Sequence, residues 1–108
     1  VEKFPQGQEA ARTNHPKVKV VSDIKEVIQE IDAAFVVTPT STHFELVKFL
    51  LENNKHVFCE KPICSNDEEA RNLKEIAKGK NVIIQVGHSE RFHEAWDKLR
   101  ETFKDTPA

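Results

Sequence analysis

Three short polar segments hold the side chains able to do chemistry. Thr38-Pro39-Thr40-Ser41-Thr42-His43 supplies hydroxyls and a histidine where a helix would start. Backbone N–H groups at a helix start attract anions and ribose hydroxyls; the same hydroxyls also serve as plain caps. Glu60-Lys61-Pro62 sets a lysine between a carboxylate and a proline, whose preceding bond is eligible for the cis form. A lysine held in a cleft can give or take a proton; a solvated one would pair with Glu60. Gly87-His88-Ser89-Glu90-Arg91 offers a general acid or base in His88, or a hydrogen-bonded structural histidine. Gly87 permits close backbone approach to a ligand. Arg91 can clamp an anion or an amide oxygen, or pair with Glu90 or Glu94.

The elements that must position these segments follow from the apolar pattern. Gln8–Thr13 reads as a short helix and Asn14-His15-Pro16 as a turn. Lys17–Val21 is β-branched and reads as a strand. Asp23 and Glu26 have capping-box spacing, and Ile24, Val27, Ile28 and Ile31 repeat at helical intervals. Ala33–Thr38 is apolar throughout, as a strand covered by helices on both faces requires. Thr42–Asn53 is a helix with Phe44, Val47, Leu50 and Leu51 on one side. His56–Cys59 is a strand ending near Pro62. Ser65 and Glu68 have capping-box spacing before a helix whose stripe is Ala70, Leu73, Ile76 and Ala77, with Gly79 at its C′ position. Val82–Val86 is the last strand, and Phe92, Trp96, Leu99 and Phe103 mark a final amphipathic helix.

Strand and helix therefore alternate, and right-handed crossovers predict one parallel α/β sheet. In such a sheet every strand C-terminus lies on one edge, where ligands bind. The three polar segments all fall there. Their convergence is worth more than any one motif.

Composition narrows the classes. With 31% charged and 38% hydrophobic residues and a formal net charge of -2, the chain reads as a soluble globular protein without an electrostatic case for nucleic acid or a membrane surface. No apolar run approaches the roughly 20 residues of a membrane span. Cys59 and Cys64 are too few for a disulfide framework and have no metal-ligand companions, so no metal is expected and a reducing, cytoplasmic setting fits. Gly7, Gly79 and Gly87 are too scattered for G-x-G-x-x-G or a P-loop. The chain opens on Val1 rather than methionine and closes on Thr106-Pro107-Ala108; both ends look cut, and a piece of a longer protein is expected.

The strings DAAFVVTPTSTH, KHVFCEKPI and VIIQVGHSERF, in that order and spacing, resemble successive motifs of the glucose-fructose oxidoreductase / inositol dehydrogenase (Gfo/Idh/MocA) family. The resemblance implies a three-layer Rossmann-type cofactor domain over residues 1–92, lacking its first strand, glycine turn and first helix. Residues 93–108 would lead toward a substrate domain bearing the catalytic D-x-x-x-H pair. It implies NAD or NADP as cofactor and a sugar or nucleotide-sugar substrate. Thr38, Pro39, Thr40 and His43 would line the ribose and pyrophosphate, with Glu60, Pro62 and Arg91 also on the cofactor side. Lys61 would act catalytically on the substrate, and His88 would sit on the substrate side. The form GHSERF resembles members acting on UDP-N-acetylglucosamine-type sugars. Without its glycine turn the chain is expected to bind cofactor weakly or not at all and to be inactive alone. The alternatives are a non-catalytic α/β module that self-associates as a homo-oligomer, and a hydrolase or isomerase using Lys61 and His88 without nicotinamide.

Overall fold

The computed structural model describes residues 1–104; Asp105–Ala108, the end of the expected 93–108 segment, lie outside the described residues. Helix α1 (Pro5–Asn14) opens the chain with proline in its first turn, where the missing N–H costs nothing. Three parallel strands follow, β1 (Ala33–Val36), β2 (His56–Glu60) and β3 (Ile84–Gly87), side by side in sequence order. Helices α2 (His43–Glu52) and α3 (Asp67–Ala77) are the crossovers, and α4 (Glu94–Phe103) ends the described chain. The register aligns Val36 with Cys59 and Cys59 with Val86, so the three strand ends are level.

The core lies between the sheet and α2 and α3. Val47, Leu50 and Leu51 of α2 and Leu73 of α3 are buried against Val36, Val57 and Cys59. Asn54 (φ 57°) and Gly79 (φ 77°) stop the two helices in the left-handed conformation open to asparagine and glycine. The cap of α3 is Asn66, whose Oδ1 accepts from the Glu69 N–H at 2.9 Å, one residue later than the expected Ser65–Glu68 pair. Ser65 joins from the other side, its N–H donating to Glu69 Oε2.

Two expected elements are not formed. Lys17–Val21 forms no strand: Lys17 lies in a turn, Val18 in a bend, and the segment belongs to no sheet. A strand needs a hydrogen-bonded neighbour, and here the Val21 carbonyl instead accepts from the Glu2 N–H at 2.9 Å while Val18 N–H closes a turn onto His15. The segment after Asp23 is a single 3₁₀ turn, Ile24–Glu26, followed by turns, not a helix to Ile31. Its capping box does form: the Glu26 carboxylate accepts from Ser22 Oγ, Ser22 N–H and Asp23 N–H, which lowers its pKa, the Ser22 side chain contributing most. A short stretch rich in β-branched residues loses χ1 freedom in a helix and cannot repay nucleation. Its apolar positions still face inward, with Ile28 buried.

The sheet is covered on one face only among the described residues. Phe35, Val37 and Ile83 point the other way and are exposed, Phe35 at 75%. Phe58 joins them, its ring 5.1 Å from that of Phe35 and tilted. The continuous apolar run of β1 anticipates cover on both sides, and α1, which buries no residue, does not provide it.

Candidate functional site

Strand β2 ends at Glu60 because Pro62 follows, and the Lys61–Pro62 bond is cis. Strand β3 ends at Gly87, which pairs with Glu60. A Cβ at Gly87 would stand 2.9 Å from both Glu60 Oε1 and the Phe58 ring, so only glycine leaves this floor undisturbed. After Gly87 the chain turns through a 3₁₀ segment, Ser89–Phe92, and enters α4, whose N-cap His93 accepts from the Ala95 N–H at 3.2 Å. Phe92 therefore lies before the helix rather than on its stripe.

This path brings three of the sequence candidates together. Lys61, His88 and Arg91 line one cavity of about 240 Å³ with Glu90, Trp96 and Arg100. A second depression of about 260 Å³ shares His88 and Arg91 and is floored by Phe58, Gln85, Val86 and Gly87. Lys61 is exposed and has no ion pair with Glu60; Glu60 Oε2 instead accepts from the Lys61 backbone N–H at 3.2 Å. The cavity wall thus carries three cationic side chains and one carboxylate, with Arg100 also paired to Asp97 at 2.7 Å. Helical spacing reads Trp96 as part of an apolar stripe and Arg100 as part of a solvated face, so the sequence does not point to either for the site. Only the turn at Ser89–Phe92 swings α4 back over the rim.

Thr38–His43 does not line that cavity but is tied to it. The Thr38 and Thr42 hydroxyls lie 2.7 Å apart, and Thr42 Oγ1 donates to the Pro39 carbonyl at 2.8 Å, so Thr42 braces the loop instead of capping α2. Pro39 and Thr40 carry the backbone into α2 through a 3₁₀ turn. His43 is 1% exposed. Its Nδ1 lies 2.7 Å from the Pro62 carbonyl oxygen and its Nε2 2.7 Å from that of Thr38. The imidazole is thereby engaged inside the protein and bridges the loop after β1 to the turn after β2. Beneath the same rim, burial pushes the Cys59 thiol up to about 11, with the Glu60 carboxylate and Cys64 adding to the effect. Among the described residues no group of three or more His, Cys, Asp or Glu could hold a metal ion, and no helix is long and apolar enough to cross a membrane.

A parallel sheet with polar loops at its C-terminal edge is the arrangement in which α/β proteins bind ligands. The family model described as "Oxidoreductase family, NAD-binding Rossmann fold" matches residues 2–88, and the chain belongs to that family, Gfo/Idh/MocA. Among relatives, scyllo-inositol 2-dehydrogenase (NAD(+)) of Bacillus subtilis is 42% identical over 76 residues, 68% of this chain and 22% of that protein. UDP-N-acetylglucosamine 3-dehydrogenase of Acidithiobacillus ferrooxidans is 32% identical over 85 residues, 79% of this chain and 27% of that one. The solved structure of apo scyllo-inositol dehydrogenase from Lactobacillus casei superposes with a TM-score of 0.80 at 25% identity, covering 95% of this chain and 31% of that one. The chain spans about a quarter of the length of the curated relatives it matches.

The residues fit part of a dinucleotide site. The exposed Thr38 and Thr42 hydroxyls stand at the strand-end edge, whereas the space beside Gly87 is taken by the Glu60 and Phe58 side chains. The glycine turn that orients N–H groups toward a pyrophosphate is absent among the described residues.

Proposed function

We propose that residues 1–92 are part of the cofactor-binding unit, and that 93–108 leads toward a substrate domain, of an NAD- or NADP-dependent enzyme. Its reaction would oxidise or reduce a hydroxyl-bearing carbon of a sugar, a cyclic polyol or a nucleotide-linked sugar. The convergence of Lys61, His88 and Arg91 on one cavity at the strand ends is the observation that supports this reading. A bound nicotinamide would supply the hydride acceptor or donor. Lys61 would act catalytically, its ammonium donating to the reacting oxygen to orient and polarise it, while the hydroxyl proton would pass to the D-x-x-x-H pair of the substrate domain. His88 would stand beside it on the substrate side. Thr38, Pro39 and Thr40 would border the ribose, and Glu60 and Pro62 would shape the turn that presents Lys61. The excess of cationic side chains around the cavity favours a ligand bearing negative charge, such as the phosphates of a nucleotide sugar.

Titration of the ¹⁵N-labelled chain with NADH tests this assignment. Amide shifts are expected at Thr38–Thr42, Lys61 and Gly87–Arg91, approaching saturation only weakly for want of the glycine turn. Shifts confined to other regions would remove the site. Submillimolar affinity would overturn the weak-binding expectation.

The open sheet face favours a second reading, that the chain self-associates as a homo-oligomer. The unpaired edge of β1 and the exposed Phe35, Val37 and Ile83 are surfaces that a second copy would cover. A strictly monomeric mass by light scattering at high concentration would end this reading.

A further inference from the structure

We propose that α4 supplies the substrate-selecting wall of the cavity: Trp96 and Arg100 accept a sugar that bears a phosphate group and discriminate against an uncharged polyol. This selection rests on the functional reading above, in which Lys61 meets the reacting oxygen. It gives a task to two residues that the reading leaves without one.

Lys61, Arg91 and Arg100 face one space of about 240 Å³. Among the described residues, neither the Lys61 ammonium nor the Arg91 guanidinium makes an ion pair. Arg100 gives one nitrogen, Nη1, to Asp97 Oδ1 at 2.7 Å. A guanidinium carries several N–H donors in a planar fork, so this contact fixes the group and leaves other donors open. Open arginine forks match phosphate oxygens, which accept from them in pairs. An uncharged polyol offers only hydroxyl oxygens and leaves the excess positive charge uncompensated.

The remaining lining groups fit the rest of such a molecule. The Glu90 carboxylate makes no ion pair with Arg91 among the described residues and can accept from sugar hydroxyls. Trp96 is 47% exposed, a flat apolar ring against which the C–H face of a sugar can lie. The cavity is smaller than the roughly 300 Å³ at which ligand pockets begin. A molecule whose oxygen reaches Lys61 therefore also meets the α4 wall. His88 and Arg91 are shared with the second depression, whereas Trp96 and Arg100 line the first alone. Selection of what approaches Lys61 thus falls to α4.

Trp96 is the only tryptophan in a chain without tyrosine, so indole emission reports on this wall. The intact chain is titrated at low salt with glucose 1-phosphate, UDP-N-acetylglucosamine, myo-inositol and inorganic phosphate. The phosphate-bearing sugars are expected to change the emission saturably, and myo-inositol is not. Whichever of the two sugars binds more tightly shows whether the phosphate enters free or linked to a nucleoside. Arg100→Gln should weaken that binding about fivefold. Arg71→Gln removes the same charge from an exposed position of α3 outside the cavity and should leave it unchanged. Arg100 stands on a helix that buries no residue, so its replacement spares the core. A response to myo-inositol or to inorganic phosphate equal to that of glucose 1-phosphate overturns the proposal. Equal losses in the two arginine variants, or silence toward both sugars, overturn it as well. NADH-induced amide shifts at the strand ends with an unresponsive Trp96 would sink this selection and spare the oxidoreductase reading; the reverse result would sink that reading alone.

Discussion

The two cysteines flank the Lys61–Pro62 turn, yet they should behave differently. Cys59 is buried on the covered face of the sheet, and Cys64 is half-buried on the loop before α3. Burial raises the Cys59 thiol from 9.0 to about 11. The folded state thus keeps a proton that the unfolded chain gives up first, so stability is full below pH 9.0 and falls as pH rises toward about 11. Urea midpoints should drop between those limits, and the drop should shrink in Cys59→Ala; equal slopes in the two proteins would refute it. In the native protein only Cys64 should react readily with a thiol reagent, and both cysteines after denaturation. At this scale the sequence is partly legible. Lys61, His88 and Arg91 can be picked out because each follows a strand whose end the topology places on the ligand-binding edge. The bracing role of Thr42 and the carbonyl-to-carbonyl bridge of His43 cannot, since both depend on where a loop folds in space.

Among the elements, α2 and α4 each carry an apolar stripe at helical spacing, α2 being the more apolar, and they have opposite fates. Leu50 and Leu51 of α2 are buried in the core, whereas Leu99 of α4 is 51% exposed and that helix buries no residue. Periodicity states which face of a helix is apolar but not whether anything meets it. Leu50→Ala should therefore cost about 2–5 kcal/mol, and Leu99→Ala no more than about 0.5 kcal/mol, both read from urea midpoints. A Leu99→Ala cost approaching that of Leu50→Ala would mean that α4 docks on the core in solution. The same distinction explains the strands. β2 and β3 are legible because continuous apolar runs sit between turn residues, and parallel order follows from the intervening helices. Lys17–Val21 has the composition of a strand, but pairing is a property of two segments, and its backbone groups bond singly to Glu2, Arg12 and His15 rather than to a neighbouring strand.

At the scale of the molecule, a radius of gyration of 17.7 Å is well above the roughly 13 Å of a compact domain of about 100 residues. The excess goes with α1 and α4, which bury nothing, and with a sheet layered on one side. Phe35, Val37 and Ile83 then leave an apolar surface on the bare face, and Phe92, Trp96, Leu99 and Phe103 leave another near α4. Contiguous apolar surface of this kind costs solubility and invites association. Ile83 stands at the centre of the test because it precedes β3, is 65% exposed, and takes no part in the buried core. Replacing it by lysine should leave the urea midpoint within about 0.5 kcal/mol of the parent while lowering the weight-average mass at high concentration. If association is unchanged in Ile83→Lys but falls in Leu99→Lys, the contact surface is α4 and not the sheet. The outcome also bears on the site, since α4 carries Trp96 and Arg100 into the wall shared with Lys61. A copy docked there would close the cavity, whereas one docked on the sheet would leave it open.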